Sequence, residues 1–334
     1  MTVLVTGAAG FIGYFVAEAL LARGDRVIGI DNLNDYYDVR LKQARLARLE
    51  GKPGFRFHRA DIADRDAIHA LVRGEPDLDL MVHLAAQAGV RHSLVDPYAY
   101  VHSNVMGHLV MLEAARLAPR LRHFVYASSS SVYGANSVLP FSEADRVETP
   151  LSVYAATKLA DEMMSHAYGH LHALPQTGLR FFTVYGPWGR PDMAYYSFAR
   201  AIMAGEPITL YEGGTLRRDF TYIDDIVAGI LGCLDRPPDT TPPVRVLNIG
   251  NHRSELVSTL VELLEKSLDR GANVREVPRP LADVAETFAS VEAISSLTGF
   301  VPRTTLADGI PRFAAWFKAW NGHPQEVSKG PLTG

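Results

Sequence analysis

The stretch Thr2–Gly13, which reads TVLVTGAAGFIG, decides the fold. A run of apolar and β-branched residues comes first, and glycines follow at Gly7, Gly10 and Gly13. Glycines at this spacing permit a tight turn, a close approach of the backbone to a phosphate, and close packing of a helix on the strand. The N-terminus of that helix presents free N–H groups to an anion. The stretch therefore predicts a strand, a phosphate-binding turn and a helix.

Short apolar segments alternate with helical patterns on the C-terminal side of this turn. Strands are predicted at residues 3–6, 26–30, 55–59, 80–84, 124–127 and 178–182, and helices at about 12–23, 39–49, 64–73, 98–118 and 153–172. Strands rich in Val, Ile and Leu that alternate with helices form parallel sheets covered on both faces. Because crossovers between parallel strands are right-handed, this half predicts an α/β fold with a doubly wound parallel sheet, the Rossmann arrangement.

The pattern becomes less regular after about residue 183, where glycine- and proline-containing loops separate short segments. Apolar residues that indicate short C-terminal helices are Phe288, Ile294, Leu297, Phe313 and Trp316. We predict a Rossmann domain over residues 1–182 and a smaller C-terminal α/β substrate lobe over residues 183–320, partly interleaved with the first domain. The polar tail, residues 321–334, is predicted to be flexible.

Composition limits the classes of function. The chain has 334 residues, of which 47% are hydrophobic and 21% charged, so a sizeable core is available. The formal net charge is −4, and a balanced chain of this kind is a poor partner for nucleic acid. The 12 histidines and the single cysteine, Cys233, show no metal-ligand spacing, and we predict no metal site.

The sequence also indicates where the protein works. A single cysteine rules out an internal disulfide and suits a reducing compartment. The N-terminus lacks the charged and apolar regions of a signal peptide, and no apolar run reaches the ~18 residues of a spanning helix. We therefore expect a cytoplasmic protein with no membrane partner.

An acidic residue at the end of the second predicted strand indicates the cofactor. Asp31 follows Gly13 by 18 residues. A carboxylate at this place can accept hydrogen bonds from an adenosine ribose diol and would repel a 2′-phosphate, which favours NAD over NADP. Asp61 and Ile62 follow the third strand, where the adenine would lie. Small residues end the fourth strand and would let the backbone approach the cofactor.

A tyrosine and a lysine in the helix predicted at 153–172 supply acid–base chemistry. Tyr154 and Lys158 are four residues apart, so they share one face of a helix. An ammonium beside a phenol favours the phenolate, which can act as a general base toward a hydroxyl. The serine run Ser128–Ser131 follows the fifth strand. Ligands of open α/β sheets bind at the carboxyl ends of strands, so a serine hydroxyl there can bind a substrate oxygen.

The glycine turn, the serine run before Val132-Tyr133-Gly134 and the Tyr154/Lys158 pair together resemble the extended short-chain dehydrogenase/reductase superfamily. Within it, the chain resembles the sugar-nucleotide epimerases, and most closely the UDP-glucuronate 4-epimerases. The segments that carry this likeness are Asp31–Asp38, Ala86–Arg91, Tyr185–Ala194 and Arg218–Asp225. The likeness extends from residue 2 to about residue 320.

The resemblance implies an epimerase that holds NAD tightly and recycles it. Tyr154 would take the proton from the sugar O4 while a hydride leaves C4 for the nicotinamide, and Ser129 would bind O4. The 4-keto intermediate would rotate, and the hydride would return to its other face. The predicted cofactor contacts are Gly7, Gly10, Phe11, Ile12, Gly13, Asp31, Asn32, Asn34, Asp61, Ile62, Leu84, Ala85, Ala86, Tyr154 and Lys158. The resemblance also implies a homodimer, paired through the helices near 98–118 and 153–172.

Positions 129–131 distinguish between related reactions. In the related 4,6-dehydratases the residues at these positions resemble Thr-Asp-Glu, and in the related decarboxylases they resemble Thr-Ser-Glu. This chain has three serines there. Oxidation of a uronate at C4 gives a β-keto acid that tends to lose CO₂, so its carboxylate must be held. The planar fork of Arg190 suits that task. Predicted substrate contacts are Arg91, Ser129, Ser130, Ser131, Thr183, Arg190, Arg218 and Asp283; Arg218 resembles the family's diphosphate-binding arginine.

Two alternatives remain open at this stage. One is a 4-epimerase of a neutral UDP-hexose, such as UDP-glucose/galactose, and the loop that carries Arg190 argues against it. The other is a non-catalytic NAD-binding regulator on the same fold. The intact set of Tyr154, Lys158 and Ser129 argues against a regulator, because a binding protein would not need them.

Overall fold

A seven-stranded parallel sheet is the centre of the computed structural model, which describes residues 1–279 and 284–322. Its strands in chain order are β1 (Thr2–Thr6), β2 (Arg26–Asp31), β3 (Phe55–Arg59), β4 (Leu80–His83), β5 (His123–Ser129), β6 (Gln176–Phe181) and β11 (Val244–Ile249). They are arranged in the order β11-β6-β5-β4-β1-β2-β3. The strand order reverses beside β1, as in a doubly wound sheet, and the predicted fold class is confirmed.

Helices cover both faces of this sheet. They are α1 (Phe11–Ala22), α2 (Val39–Glu50), α3 (Arg65–Arg73), α4 (Pro97–Tyr100), α5 (Gly107–Leu117), α6 (Val153–His172), α7 (Ala194–Ala204), α8 (Ile223–Leu234), α9 (Val257–Leu268), α10 (Glu292–Thr298) and α11 (Leu306–Gly322). Helices α1 and α8 pack together on one face, whereas α3, α5 and α6 pack on the other. The two apolar clusters they form against the sheet make the core.

Short strands of the C-terminal half lie outside the main sheet. They are β7 (Thr183–Tyr185), β8 (Pro207–Tyr211), β9 (Arg217–Arg218), β10 (Phe220–Tyr222), β12 (Glu255–Leu256), β13 (Asn273–Val277) and β14 (Glu286–Thr287). Strand β10 pairs with β7, β13 with β8, and β9 lies between β12 and β14. Because β7 begins two residues after β6 ends, the chain enters this region directly from the carboxyl edge of the main sheet.

The structure differs from the predicted elements in three places. Strand β11 was not among the predicted strands; it lies within residues 183–320 and joins the main sheet beside β6. The helix predicted at 98–118 contains a π-helical segment, Val101–Met106. Helix α11 has 17 residues and is not short, and Phe288 follows β14 and lies outside any helix. The domain boundaries at 182 and 320 stay predictions.

Within residues 1–279 and 284–322, every helix lacks the length and apolar character that a membrane crossing requires. The same residues contain no group of three or more His, Cys, Asp or Glu side chains that could hold a metal ion. Cys233 is buried and forms no disulfide.

Candidate active site

One cavity of about 370 Å³ lies at the carboxyl ends of the central strands. It is lined by every residue that the sequence assigned to the cofactor: Gly7, Gly10, Phe11, Ile12, Gly13, Asp31, Asn32, Asn34, Asp61, Ile62, Leu84, Ala85, Ala86, Tyr154 and Lys158. The serines at 129–131, Thr183 and Arg190 line it as well. The fold thus brings nucleotide-binding, acid–base and carboxylate-binding candidates to a single site.

The glycine turn leaves no room for side chains. Gly7 has a φ of +70°, and a Cβ there would lie 2.9 Å from the backbone nitrogen of Ala85. A Cβ on Gly13 would lie 2.0 Å from the carbonyl oxygen of Gly7. The backbone therefore forms the floor of the cavity where α1 begins, and the N–H groups of the first helical turn are available to a diphosphate.

Asp31 is held in place by the backbone on two sides. The N–H of Ala9 donates to its Oδ2 at 3.1 Å, and the N–H of Leu33 donates to its Oδ1 at 2.8 Å. The residue is 8% exposed. Each carboxylate oxygen still has a lone pair for a ribose hydroxyl, so this geometry fits the adenosine end of NAD.

A polar network continues along this end of the cavity. Asn32 Nδ2 donates to Asp61 Oδ2 at 3.0 Å, and Lys42 Nζ donates to the carbonyl oxygen of Asn34 at 2.8 Å. Burial lowers the pKa of Lys42, and the carboxylate of Asp31 opposes that change. Sequence reasoning missed Lys42, because a lysine in a charged helix gives no sign that it is 6% exposed.

Thr6 joins the ends of two strands below the cavity. Its Oγ1 accepts hydrogen bonds from the N–H groups of Leu84 and Ala85, both at 3.1 Å, and lies 2.8 Å from His83 Nδ1. Burial lowers the pKa of His83 to about 3, with a further contribution from Lys158. The imidazole is therefore neutral at neutral pH, so His83 adds no charge beside Lys158.

Helix α6 places Tyr154 and Lys158 on one face. The N–H of Ala155 donates to Ser152 Oγ at 3.1 Å, which fixes the start of the helix. Lys158 is 3% exposed, and its Nζ donates to the carbonyl oxygen of Ala127 at 2.9 Å. The ring of Tyr154 packs edge-on against Tyr100, with 6.0 Å between the centroids. Both groups are thus oriented before a ligand binds.

The serine run divides into inward and outward members. Ser128 Oγ donates to Glu162 Oε1 at 2.5 Å, and Arg180 binds both oxygens of the same carboxylate. Ser128 therefore belongs to a buried network. Ser129 Oγ accepts from the N–H of Ser131 at 3.2 Å, which starts a 3₁₀ turn. That turn leaves the hydroxyls of residues 129–131 at the cavity wall.

Arg190 is anchored and not free in solvent. Its Nε donates to Asp192 Oδ1 at 3.0 Å and its Nη2 to Asp192 Oδ2 at 2.7 Å. The hydroxyl of Tyr36 also donates to Asp192 Oδ2, at 3.3 Å. Burial lowers the pKa of Arg190, but the Asp192 carboxylate outweighs it and raises that pKa above its ordinary value. A permanently charged, oriented guanidinium therefore faces the cavity.

Arg45 links three loops around the site, although it does not line the cavity. Its guanidinium donates to the carbonyl oxygens of Ala9 at 3.0 Å, Trp188 at 3.0 Å and Gly189 at 3.2 Å, and to Tyr37 Oη at 2.8 Å. The residue has no exposed surface. Sequence reasoning missed it. Its place in the buried stripe of α2, between Leu41 and Leu49, is a signal that could have found it.

Asn104 was also missed by sequence reasoning. It lies in the π-helical segment, where its Oδ1 accepts from the N–H of Gln87 at 2.8 Å and its Nδ2 donates to the carbonyl oxygen of Gln87 at 3.1 Å. Nδ2 also donates to Thr157 Oγ1 at 2.9 Å. Asn104 thus ties the cavity segment that contains Gln87 to helix α6.

Two predicted substrate residues, Arg91 and Arg218, are not among the described residues that line the cavity. The guanidinium of Arg91 lies over the ring of Tyr211, 5.0 Å from its centroid. Arg218 Nη1 donates to the carbonyl oxygen of Arg217 at 2.8 Å. Asp283 lies outside the described residues. The roles proposed for these side chains stay predictions.

Comparisons with known proteins agree with this geometry. The chain is 47% identical to UDP-glucuronate 4-epimerase 3 of Arabidopsis thaliana, over 98% of this chain and 79% of that protein. It is also 47% identical to an uncharacterized 37.6 kDa protein of Escherichia coli O111:H-, over 95% and 98% of the two chains. A solved UDP-glucuronic acid 4-epimerase of Bacillus cereus, in complex with UDP-glucuronic acid and NAD, superposes with a TM-score of 0.88 at 35% identity. That match covers 96% of this chain and all of the other.

The resemblance that the motifs predict is confirmed by these matches. The model of the family described as "NAD dependent epimerase/dehydratase family" matches residues 3–250. This part of the chain contains the glycine turn, the serine run and the Tyr154/Lys158 pair. The chain therefore belongs to the NAD-dependent epimerase/dehydratase family.

Proposed function

We propose that this chain interconverts UDP-glucuronate and UDP-galacturonate as an NAD-dependent 4-epimerase. One observation carries the proposal: three sets of residues line the same cavity. They are Gly7 and Asp31 for the nucleotide, the Tyr154/Lys158 pair for proton transfer, and the cation of Arg190 for a carboxylate. The similarity to UDP-glucuronate 4-epimerases over nearly the whole chain supports it. The backbone cradle at Gly7, which a Cβ would fill, and the fixed carboxylate of Asp31 fit NAD.

The residues of the chain supply proton transfer and position. Tyr154 accepts the proton of the sugar O4, and the Lys158 ammonium favours the phenolate form that does so. Ser129 binds O4 and keeps the hydroxyl oriented toward Tyr154. NAD supplies the hydride chemistry at C4, removing a hydride from one face of the sugar and returning it to the other. Tyr154 then returns the proton to O4, so no net oxidation remains.

The carboxylate of the uronate is held by Arg190 and nearby hydroxyl groups. Arg190 offers the guanidinium edge that Asp192 does not use, and Thr183 with Ser130 and Ser131 adds hydrogen-bond donors. Charge-assisted hydrogen bonds to a carboxylate are about twice as strong as neutral ones. A fixed carboxylate keeps its C–C bond out of line with the keto group, which prevents loss of CO₂. Position 131 is a serine in this chain. The site therefore lacks the acidic residue that the resemblance assigns to this position in the related dehydratases and decarboxylases.

A charged wall favours a uronate over a neutral hexose. Arg190 keeps N–H donors on the edge that Asp192 does not bind, and a uronate carboxylate can accept charge-assisted hydrogen bonds from them, whereas an uncharged hydroxymethyl group forms only weaker neutral ones. The neutral-hexose alternative is therefore disfavoured. The fixed orientation of Lys158 and Ser129 is unnecessary in a non-catalytic regulator, so that alternative is disfavoured as well.

We also infer a homodimer paired through the helical region near 98–118, which contains α4, the π-helical segment and α5, and through helix α6. Large apolar side chains on and beside these helices are exposed: Leu94, Val95, Tyr98, Val101, Met106, Met163 and Leu171. The segments that carry these side chains pack against α6, and clustered exposed apolar residues are typical of an interface. Sedimentation of the purified protein tests this, and Tyr98→Glu with Met163→Glu should give monomers if the inference is right. A cytoplasmic location stays a prediction.

One experiment tests the activity directly. Purified protein is incubated with UDP-glucuronate without added NAD, and the products are separated by chromatography. We expect UDP-galacturonate to accumulate to a stable ratio, and NAD to be released on denaturation. Turnover of UDP-glucose but not UDP-glucuronate would favour the neutral-hexose alternative. Absence of turnover with either sugar, in protein that retains NAD, would favour the regulator.

A further inference from the structure

A buried carboxylate accompanies Lys158 on helix α6. Asp161 lies one turn after Lys158, and its Oδ2 accepts a hydrogen bond from Lys158 Nζ at 3.0 Å. The two side chains are 1% and 4% exposed. The other oxygen, Oδ1, is buried and finds no hydrogen-bond partner among the described residues. The ammonium of Lys158 is therefore the main group that stabilises this carboxylate.

Apart from Lys158, the charged and titratable groups around Asp161 are either paired with other residues or neutral. On its own helix, Glu162 is bound by Arg180 of β6. Burial lowers the pKa of His83 on β4 to about 3, and lowers that of His108 on α5 well below its usual value. Burial also raises the pKa of Tyr126 on β5, so its phenol is neutral. Lys158 and Asp161 thus form a charge pair of their own.

We propose that Asp161 is a positioning residue for the reaction: it aims the Lys158 ammonium and offsets part of its charge, and so limits how strongly Lys158 favours the phenolate of Tyr154. The inference rests on the roles proposed above for Tyr154 and Lys158. An ammonium has three N–H donors, and two of those on Lys158 are taken by Ala127 and Asp161. One donor is left for the cavity.

The charge of Asp161 should change the pH at which Tyr154 loses its proton, and electrostatics gives the direction of that change. Replacing the carboxylate with an amide of the same shape leaves the ammonium uncompensated in a site where charges are weakly screened. In the variant we therefore expect the phenolate of Tyr154 to form at lower pH than in the wild type, by a difference on the order of one pH unit for one unit of charge. Burial raises the pKa of Asp161 to about 6, with Lys158 opposing, so the wild-type carboxylate loses its charge as pH falls through that value.

The test compares holoenzymes of the wild type and Asp161→Asn. The pH dependence of kcat is measured, and tyrosinate formation is followed in parallel by ultraviolet difference spectra, with Tyr154→Phe as the spectral baseline. We expect the acid limb of the profile and the Tyr154 tyrosinate signal to move together to lower pH, by about one unit. The control is Asp66→Asn on α3, the same substitution at an exposed carboxylate that bonds the neighbouring Arg65. It should leave both curves in place.

Two outcomes would overturn the inference. One is a lower kcat with both curves unmoved, which is the signature of a merely structural residue. The other is a shift to higher pH. If Asp161→Asn fails to fold, Asp161→Ser removes the charge from a smaller side chain and is judged by the same two curves. Failure of the proposed residue roles is distinguishable, because Tyr154→Phe would then stay active.

Discussion

Arg190 binds Asp192 through only one edge of its guanidinium, with Nε to Oδ1 at 3.0 Å and Nη2 to Oδ2 at 2.7 Å. The pair is three-quarters buried, with side-chain exposures of 23% and 28%. Tyr36, from the loop after β2, braces the same carboxylate. Asp192 thus holds the arginine at a fixed angle and leaves the Nη1 edge for a second carboxylate. The chain supplies the first carboxylate of this arrangement, and a uronate substrate would supply the second.

Tyr154→Phe should nearly abolish epimerisation while UDP-sugar binding persists. The ring keeps its edge-on contact with Tyr100, so only the proton-transfer group is lost. Loss of a general acid–base group typically costs ~10²–10⁴-fold in rate. Steady-state kinetics and calorimetric titration with UDP-glucuronate check the two parts separately. A variant that keeps most of its turnover would mean that another group is the base.

NAD should co-purify with the protein, and NADP should not replace it. The carboxylate of Asp31 is fixed by Ala9 and Leu33 where a 2′-phosphate would meet it. Asp31→Asn keeps the shape but loses charge-assisted bonds to the ribose, so retention of NAD should fall by roughly ten- to a hundredfold. Mass spectrometry of the nucleotide released on denaturation measures this. Release of mainly NADP from the wild type would contradict the assignment.

Arg45→Met should loosen both the cofactor turn and the loop that carries Arg190. The change leaves the carbonyl oxygens of Ala9, Trp188 and Gly189 without their donor in a buried place. Unsatisfied buried groups cost ~1–3 kcal/mol each, so the melting temperature should fall by several degrees. NAD should also be lost on gel filtration.

The control for Arg45 is Arg40→Met on the same helix. Arg40 is exposed and bonds only Asp38, two positions earlier, among the described residues. Its replacement should leave melting and NAD content unchanged. If melting temperature and NAD content fell equally in the two variants, the positive charge of α2 would be the cause, and the specific hydrogen bonds of Arg45 would not.

The sequence predicted the central sheet well because its signals are local. The glycine turn, Asp31 and the Tyr154/Lys158 spacing each act within one strand–turn–helix unit or one helix, so their geometry follows from neighbouring residues. Strand β11 was not predicted, because it is an edge strand whose Arg245 interrupts the apolar pattern. Its partner β6 lies more than 60 residues earlier in the chain.

The supporting residues of the site could not be read from the sequence. Arg45 bonds Trp188, 143 positions away. Lys42 bonds Asn34 in the preceding loop, but the charged pattern of α2 does not show that this lysine is buried. Asp161 looks like an ordinary acid on a helix surface, and only the packing of α5, β5 and β6 against α6 buries it. Residues that bind ligands follow motifs, whereas residues that hold them in place depend on contacts distant in sequence.

Arg190→Ala should change the fate of the keto intermediate and not only the affinity for substrate. Loss of a charge-assisted pair costs ~1.5–3 kcal/mol, so UDP-glucuronate should bind roughly ten- to a hundredfold more weakly. A loosely held carboxylate can rotate until its C–C bond aligns with the C4 carbonyl, and CO₂ then leaves. The variant should therefore release more UDP-4-keto-pentose, with the cofactor left reduced, for each epimerisation.

The ratio of keto-pentose plus NADH to UDP-galacturonate measures this partition. Asp192→Asn is the companion variant, since it keeps the guanidinium but removes the carboxylate that orients it. We expect its ratio to lie between those of the wild type and Arg190→Ala, because a charged but less constrained fork still binds the uronate. If Arg190→Ala changes neither ratio nor affinity, the carboxylate is held by Thr183 and the serines, and the Arg190–Asp192 pair serves only to join its loop to Tyr36.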